Sequence, residues 1–300
     1  MAGKAGSSEF SSIMDDLEAL RSEAAAVLGE AQGFKSPSKN VNQTDSFWLA
    51  NEFSNEQKDY IEGQIASSVK QIESYINLTS YMKGEPPLPV MHRWAISADC
   101  AELLCRMITT EKYTQVIEFG TGASTQIVGR LIRNIFLKGD QRSKIGFLSF
   151  DHLERYYKQT EAMLMYDELI GGSVNFVDLI LRPLVHFADE TGPYQYYDCD
   201  GDIKKFSENG SRKGEVDKVL VIVDGPPAAT GRFARYPAFP IVLKYFSNTE
   251  VHFLLDDYIR QQEVDTAGIW LNQLKKRGIR YDAQEIELEK SAFLLKVFPE

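Results

Sequence analysis

Three hundred residues, 43% of them apolar, can bury the core of one large α/β domain with an appendage, or of two small domains. A formal charge of −10, from 43 acids against 33 Lys and Arg, argues against a nucleic-acid partner, whose phosphates need cationic neutralisation. No apolar run could span a bilayer and no charged-then-apolar signal segment opens the chain, so a cytoplasmic protein is expected.

The opening Met1 to Phe10 is rich in Gly, Ser and Ala and reads as a tail. Ile13, Leu17, Leu20, Ala24 and Val27 then form a short heptad stripe, which suits an amphipathic helix or a small oligomerisation helix, leaving a homo-oligomer open. Gly33 to Ser46 is polar, carries Pro37 and reads as a linker. Ile61, Ile65, Val69, Ile72 and Ile76 predict an amphipathic helix over about Asn55 to Met82, broken by Gly84 to Pro89. A further helix is expected near Trp94 to Thr109. It carries Cys100 and Cys105, which with Cys199 show no metal-type or paired spacing and suit a reducing compartment. These segments divide the chain into a flexible or helical extension (1–45), a helical cap (46–110) and a main domain (111–300). No internal repeat is evident.

From Tyr113 onward strand and helix alternate, which favours a doubly wound, mostly parallel sheet covered on both faces. Strands are expected at Gln115 to Phe119, Ile145 to Phe150, Val174 to Leu179, Lys218 to Val223 and Val251 to Leu255. A polar insertion spans Asp198 to Gly214. A helix is expected near Pro237 to Phe246 and another from strand five to Lys276. Two last strands, Tyr281 to Leu288 and Ala292 to Phe298, predict a C-terminal antiparallel hairpin.

The first of these strands runs into Val116-Ile117-Glu118-Phe119-Gly120-Thr121-Gly122-Ala123-Ser124-Thr125. Gly120 and Gly122 allow a sharp turn and close backbone approach to a ligand. A helix read from about Ser124 to Phe136, with Ser124 as its cap, points free N–H groups into the same space. A dinucleotide fold wants G-x-G-x-x-G, but the third position here is Thr125, and Glu118 would repel a pyrophosphate. A carboxylate suits a ligand bearing an ammonium and a sulfonium. The segment E-F-G-T-G-A-S-T resembles motif I of class I S-adenosylmethionine-dependent methyltransferases, and the succession of elements over about residues 90 to 300 is similar to their Rossmann-like fold of roughly seven strands.

That resemblance implies S-adenosylmethionine as cosubstrate. Glu118 would face its methionine end, and Gly120, Thr121 and Gly122 would give backbone contacts, with Ser124 and Thr125 at the helix start completing the site. Asp151, at the end of strand two, would accept hydrogen bonds from both ribose hydroxyls. His152 could lie against the adenosine, and Leu181 to Leu184 could wall the adenine. Asp224 in Val223-Asp224-Gly225-Pro226-Pro227, with Asp256-Asp257 after strand five, resembles the Mg²⁺ ligands of catechol O-methyltransferase and of sugar O-methyltransferases acting on macrolides. The resemblance implies that Asp224 acts as base or metal ligand, because an alcohol is a poor nucleophile until its proton is removed. Pro226 stands where the sugar enzymes often have a second acid.

Arg232, Arg235 and Tyr236 form a candidate acceptor rim able to bind a carboxylate, a phosphate or sugar hydroxyls; the equal alternative is a basic loop pairing with nearby acids. The run from Asp224-Gly-Pro-Pro to Arg235-Tyr-Pro-Ala also looks like bacterial methyltransferases associated with glycan clusters, which implies a small-molecule or glycan acceptor. His92, His186 and His252 show no ligand spacing, and His252 reads as a core residue. Two other readings compete: a nicotinamide-dependent oxidoreductase, opposed by Thr125 and Glu118, and a non-catalytic assembly module working through its N-terminal helices.

Overall fold

A computed structural model describes residues 43–82, 86–91, 95–139, 145–208 and 218–299, with side chains from 57 onward. The stripe from Ile13 to Val27, Pro37 and His92 lie outside the described residues. Contacts divide the chain into two units, Met1–Ile61 and Glu62–Glu300. In the first, the described part is the opening of helix α1 (Gln43–Tyr81), which begins earlier than expected, inside the predicted linker.

The second unit is built on a seven-stranded sheet. Five strands run parallel: β1 (Gln115–Phe119), β2 (Gly146–Asp151), β3 (Asp178–Leu181), β6 (Lys218–Val223) and β7 (Glu250–Leu255). β9 (Ala292–Val297) lies antiparallel to β7 and pairs with β8 (Tyr281–Ile286) as the expected hairpin. The order β3-β2-β1-β6-β7-β9-β8 is that of the class I methyltransferase, Rossmann-like fold. β1 leads outward to β2 and β3 on one side, while β6 and β7 build the other side. The chain therefore reverses its direction of travel across the sheet between β1 and β6, and the crevice beyond their carboxyl ends is the switch point where such folds take ligands.

Both faces of the sheet are buried, so the central strands are near-continuous apolar runs. Period-two alternation sends Ile117, Phe119, Val219, Val221 and Val223 into one core, with Phe239, Phe253 and Trp270. It sends Val116, Leu220, Ile222 and Leu254 into the other, against Leu104 and Cys105 of α2 (Ala98–Glu111) and Ile127 and Leu131 of α3 (Ala123–Lys138). Cys100, Cys105 and Cys199 are all buried as free thiols. His252 is a satisfied core residue: Nδ1 pairs with the Tyr113 hydroxyl at 2.6 Å and Nε2 with Glu250 at 2.7 Å.

Two expectations are corrected. The stripe Ile65, Val69, Ile72 and Ile76 of α1 faces outward, with exposures of 47–60%, while Ser74, Leu78 and Met82 are the buried residues. Between β3 and the polar insertion, the chain forms an unpredicted hairpin of β4 (Leu184–Asp189) and β5 (Gly192–Tyr197). The insertion itself opens with a short helix, α5 (Asp200–Glu208).

Candidate active site

The turn after β1 is shaped first by its neighbour strand. Gly120 has φ +97, and a Cβ there would lie 3.1 Å from the backbone of Asp224 and Gly225, so a side chain is excluded by the adjoining exit of β6. Gly120 also lines the cleft beyond the turn. Gly122, by contrast, faces open space. It is also the cap of α3, in place of Ser124, which sits inside the first turn. The Thr125 hydroxyl accepts from the Gly122 N–H (2.9 Å) and donates to Glu118 Oε2 (2.6 Å).

Glu118 is fully buried beneath this turn, and the Ser149 hydroxyl also donates to its Oε2 at 2.6 Å. Burial pushes its carboxyl up to about 7, against the opposing hydroxyls of Ser124, Ser149 and Thr125. Glu118 thus braces the turn from below through Oε2, its Oε1 is buried without a hydrogen-bond partner, and the cleft above is lined by Gly120 and Thr121. Ser124 and Thr125 belong to this brace.

The cleft has a volume of about 610 Å³ and lies at the switch point. On the β2 side, Asp151 is 5% exposed; Oδ1 accepts from the Leu153 N–H (2.8 Å) and Oδ2 from the Thr121 hydroxyl (2.6 Å). Each oxygen keeps a lone pair for a ligand. His152 lines the cleft beside it, edge-on to Tyr197 (centroids 5.7 Å apart), and burial lowers its pKa. Tyr197 comes from the unpredicted hairpin, and its hydroxyl fills the space a side chain at Gly225 would need. In the segment expected to wall the adenine, Arg182 forms a bidentate pair with Asp202 (2.7 and 2.8 Å).

On the other side stand Asp224, Asp256 and Asp257, each offering an oxygen within 4.8 Å of the others. The expected acid trio is therefore brought together by the exits of β6 and β7. Arg235 lies among them. Its Nη2 donates to Asp224 Oδ1 (3.1 Å) and Asp257 Oδ2 (3.0 Å), its Nη1 to the Asp256 carbonyl (2.8 Å), and its Nε is 3.7 Å from Glu263. Arg235 is 2% exposed and pairs with acids, the alternative weighed equally with acceptor binding. Tyr236 is fully buried too; its hydroxyl donates to Asp189 and accepts from Gln273, and its carbonyl accepts from the Trp270 indole. Of the three rim residues only Arg232 is exposed, stacked 4.4 Å over Phe233 beside a smaller hollow of about 300 Å³.

Burial raises Asp224 well above the ordinary carboxylate range, with Arg235 opposing and Asp256 and Asp257 adding to it. Burial, then Asp257, also raises Asp256. Arg260, Tyr156 and Tyr197 line the same cleft and were not anticipated from sequence.

No protein-family model matches the chain, and no curated protein matches it in sequence. Among solved structures it is similar to the O-methyltransferase TomG of Streptomyces achromogenes, involved in tomaymycin synthesis and solved with S-adenosylmethionine (14% identity, 75% of this chain and 90% of that one, TM-score 0.44). It is similar to an O-methyltransferase of Bacillus cereus in complex with S-adenosylhomocysteine (14% identity, 78% and 96%, TM-score 0.45). A third is the methyltransferase PaMTH1 of Podospora anserina, bound to S-adenosylhomocysteine (11% identity, 87% and 98%, TM-score 0.43). Likeness at this level adds nothing to the topology already described, and the chemistry must come from the cleft's own residues.

Proposed function

We propose that the chain is an S-adenosylmethionine-dependent methyltransferase acting on a hydroxyl of a small molecule, with sugars and glycans as the acceptor class. The observation that carries this reading is the pair of carboxylates, Asp151 and Asp224, on opposite lips of one 610 Å³ cleft at the switch point. The residues suit the cosubstrate. Asp151 would take the ribose hydroxyls, and the open face at Gly122 leaves room along the turn. A nicotinamide dinucleotide suits them less well. Thr125 is fully buried and tied to Glu118 where that fold needs a glycine, and the lips carry acids where a pyrophosphate would lie.

When bound, S-adenosylmethionine supplies an electrophilic methyl group on a sulfonium centre. The chain's own work is to position the acceptor and take its proton. Asp224 is suited to that role: 28% of its side chain is open to the cleft, and burial raises its pKa above the ordinary carboxylate range, which makes it a stronger base when ionised. Its activity as base requires the ionised form, so turnover rises as pH climbs through the raised pKa.

Calorimetry with S-adenosylhomocysteine tests the binding half, and a folded protein that shows no heat up to about 1 mM would remove the proposal. For the chemical half, Asp224→Asn is expected to lower kcat by about 10²–10³-fold. It should change S-adenosylhomocysteine affinity little and flatten the acid limb of the pH–rate profile.

A further inference from the structure

The carboxylates at the exits of β6 and β7 invite a divalent cation, yet a cation of the chain already lies between them. We infer that Arg235 is the resident cation of this site, standing where a divalent metal would stand, and that it positions Asp224 for proton removal without one. The inference rests on the methyl-transfer reading of the cleft.

Arg235 spends its fork on this cluster. Nη2 bridges Asp224 and Asp257 at 3.1 and 3.0 Å, and Nη1 holds the Asp256 carbonyl at 2.8 Å. Mg²⁺ needs oxygen ligands at about 2.0–2.1 Å in near-octahedral array. The two carboxylate oxygens that would have to close on it already converge on Nη2 at hydrogen-bonding distance. A metal between them would press on a guanidinium that does not lose its proton.

Arg235 is also unable to swing aside cheaply. The backbone at 235–236 is pinned by the Trp270 indole on the Tyr236 carbonyl (3.0 Å) and by Asp189 and Gln273 on the Tyr236 hydroxyl. Arg260 closes Asp257 from another side at 2.8 Å. Asp224 and Asp257 are thus paired directly with guanidinium nitrogens and Glu263 lies 3.7 Å from the Arg235 Nε, while Asp256 gives the cluster its carbonyl and keeps Oδ1 without a hydrogen-bond partner.

Arg235 borders the cleft but directs its Nη donors to Asp224, Asp257 and the Asp256 carbonyl, so it is assigned as a positioning residue. It fixes Asp224 Oδ1 and leaves the remainder of that carboxylate to the cleft. In the methyl-transfer step the acceptor O–H bond breaks toward Asp224 as the new C–O bond forms and the methyl leaves sulfur, so no second cation is required to balance charge.

Manganese titration of the whole protein, followed by the paramagnetic resonance of free Mn²⁺, tests the site without turnover. No stoichiometric binding is expected below about 1 mM. A single site tighter than that and lost in Asp256→Asn would overturn the inference; one that survives Asp256→Asn lies elsewhere and leaves it standing. Arg235→Lys keeps the charge but cannot bridge both acids. It is expected to raise the acid limb of the kcat–pH profile by about half a unit or more while S-adenosylhomocysteine affinity holds. An unmoved limb in a folded variant would remove the positioning role. If S-adenosylhomocysteine fails to bind the wild type, the reading of the cleft falls, whereas the manganese result bears only on the cation.

Discussion

Asp151 gives the sharpest test of the cosubstrate site, because its two oxygens have separable duties. Oδ1 ties the entry of the helix after β2 through the Leu153 N–H at 2.8 Å, and Oδ2 receives the Thr121 hydroxyl at 2.6 Å. Asp151→Asn is isosteric. Its remaining oxygen can keep Leu153, and its amide can donate to Thr121 Oγ1, which already accepts from Thr160 at 3.1 Å. The fold should therefore change by less than about 1 kcal/mol. A vicinal diol loses more. Hydrogen bonds to a charged acceptor are worth about 1.5–3 kcal/mol each, and the amide leaves at most one acceptor facing the ribose. The expected loss is about 3 kcal/mol, or roughly 100-fold in the Kd of S-adenosylhomocysteine measured by calorimetry. An analogue lacking both ribose hydroxyls should bind wild type and variant alike. Weakening of less than about threefold in a folded variant would refute the assignment of Asp151 to the ribose.

Glu118 predicts a pH dependence of stability. Its carboxyl titrates near 7 when folded against an ordinary 4.5, so between those values the folded chain holds a proton that the unfolded chain has released. Stability from this group is greatest below about 4.5 and falls, by at most about 3 kcal/mol, as pH rises through 7. Urea midpoints taken across that window should show the fall, and Glu118→Gln should flatten it; a parallel slope in the variant would contradict the assignment. Arg130 is 1% exposed and pairs with Asp167 at 2.6 and 2.9 Å while its Nη1 holds the carbonyls of Pro86 and Pro87. Arg130→Ala should cost about 3–5 kcal/mol by equilibrium unfolding, since it strands a buried carboxylate; a loss under about 1 kcal/mol would show that Asp167 is otherwise satisfied.

The fold was legible where burial on both faces forces apolar strands. β1, β6, β7 and β9 lie within a residue of their expected positions because Val, Ile, Leu and Phe dominate them, and β8 is placed by its alternation and by the turn to β9. β3 came out shifted to Asp178–Leu181, since it is an edge strand with partly exposed residues and little alternation to fix its start. The β4–β5 hairpin was missed, although Tyr194, Tyr196 and Tyr197 carry a strong strand preference; His186, Gln195 and the exposed Val185 break the pattern. The α1 stripe misled in the opposite sense. Helical periodicity reports a face, and which face is buried in this unit is set by Leu78 and Met82, which share no register with the isoleucines.

The acids of the cleft were legible because topology alone carries strand ends to one rim. Their charge balance was not. Asp224 and Arg235 are 11 residues apart and Arg235 and Asp257 are 22 apart, with no helical or strand spacing between them. A carboxylate cluster read from sequence shows that positive charge is needed and says nothing of its source. Here the source is a side chain from the loop for which acceptor binding and pairing with nearby acids were equal alternatives. One buried guanidinium, bonded to Asp224 and Asp257 at once, thus supplies part of the positive charge that the strand-end acids require.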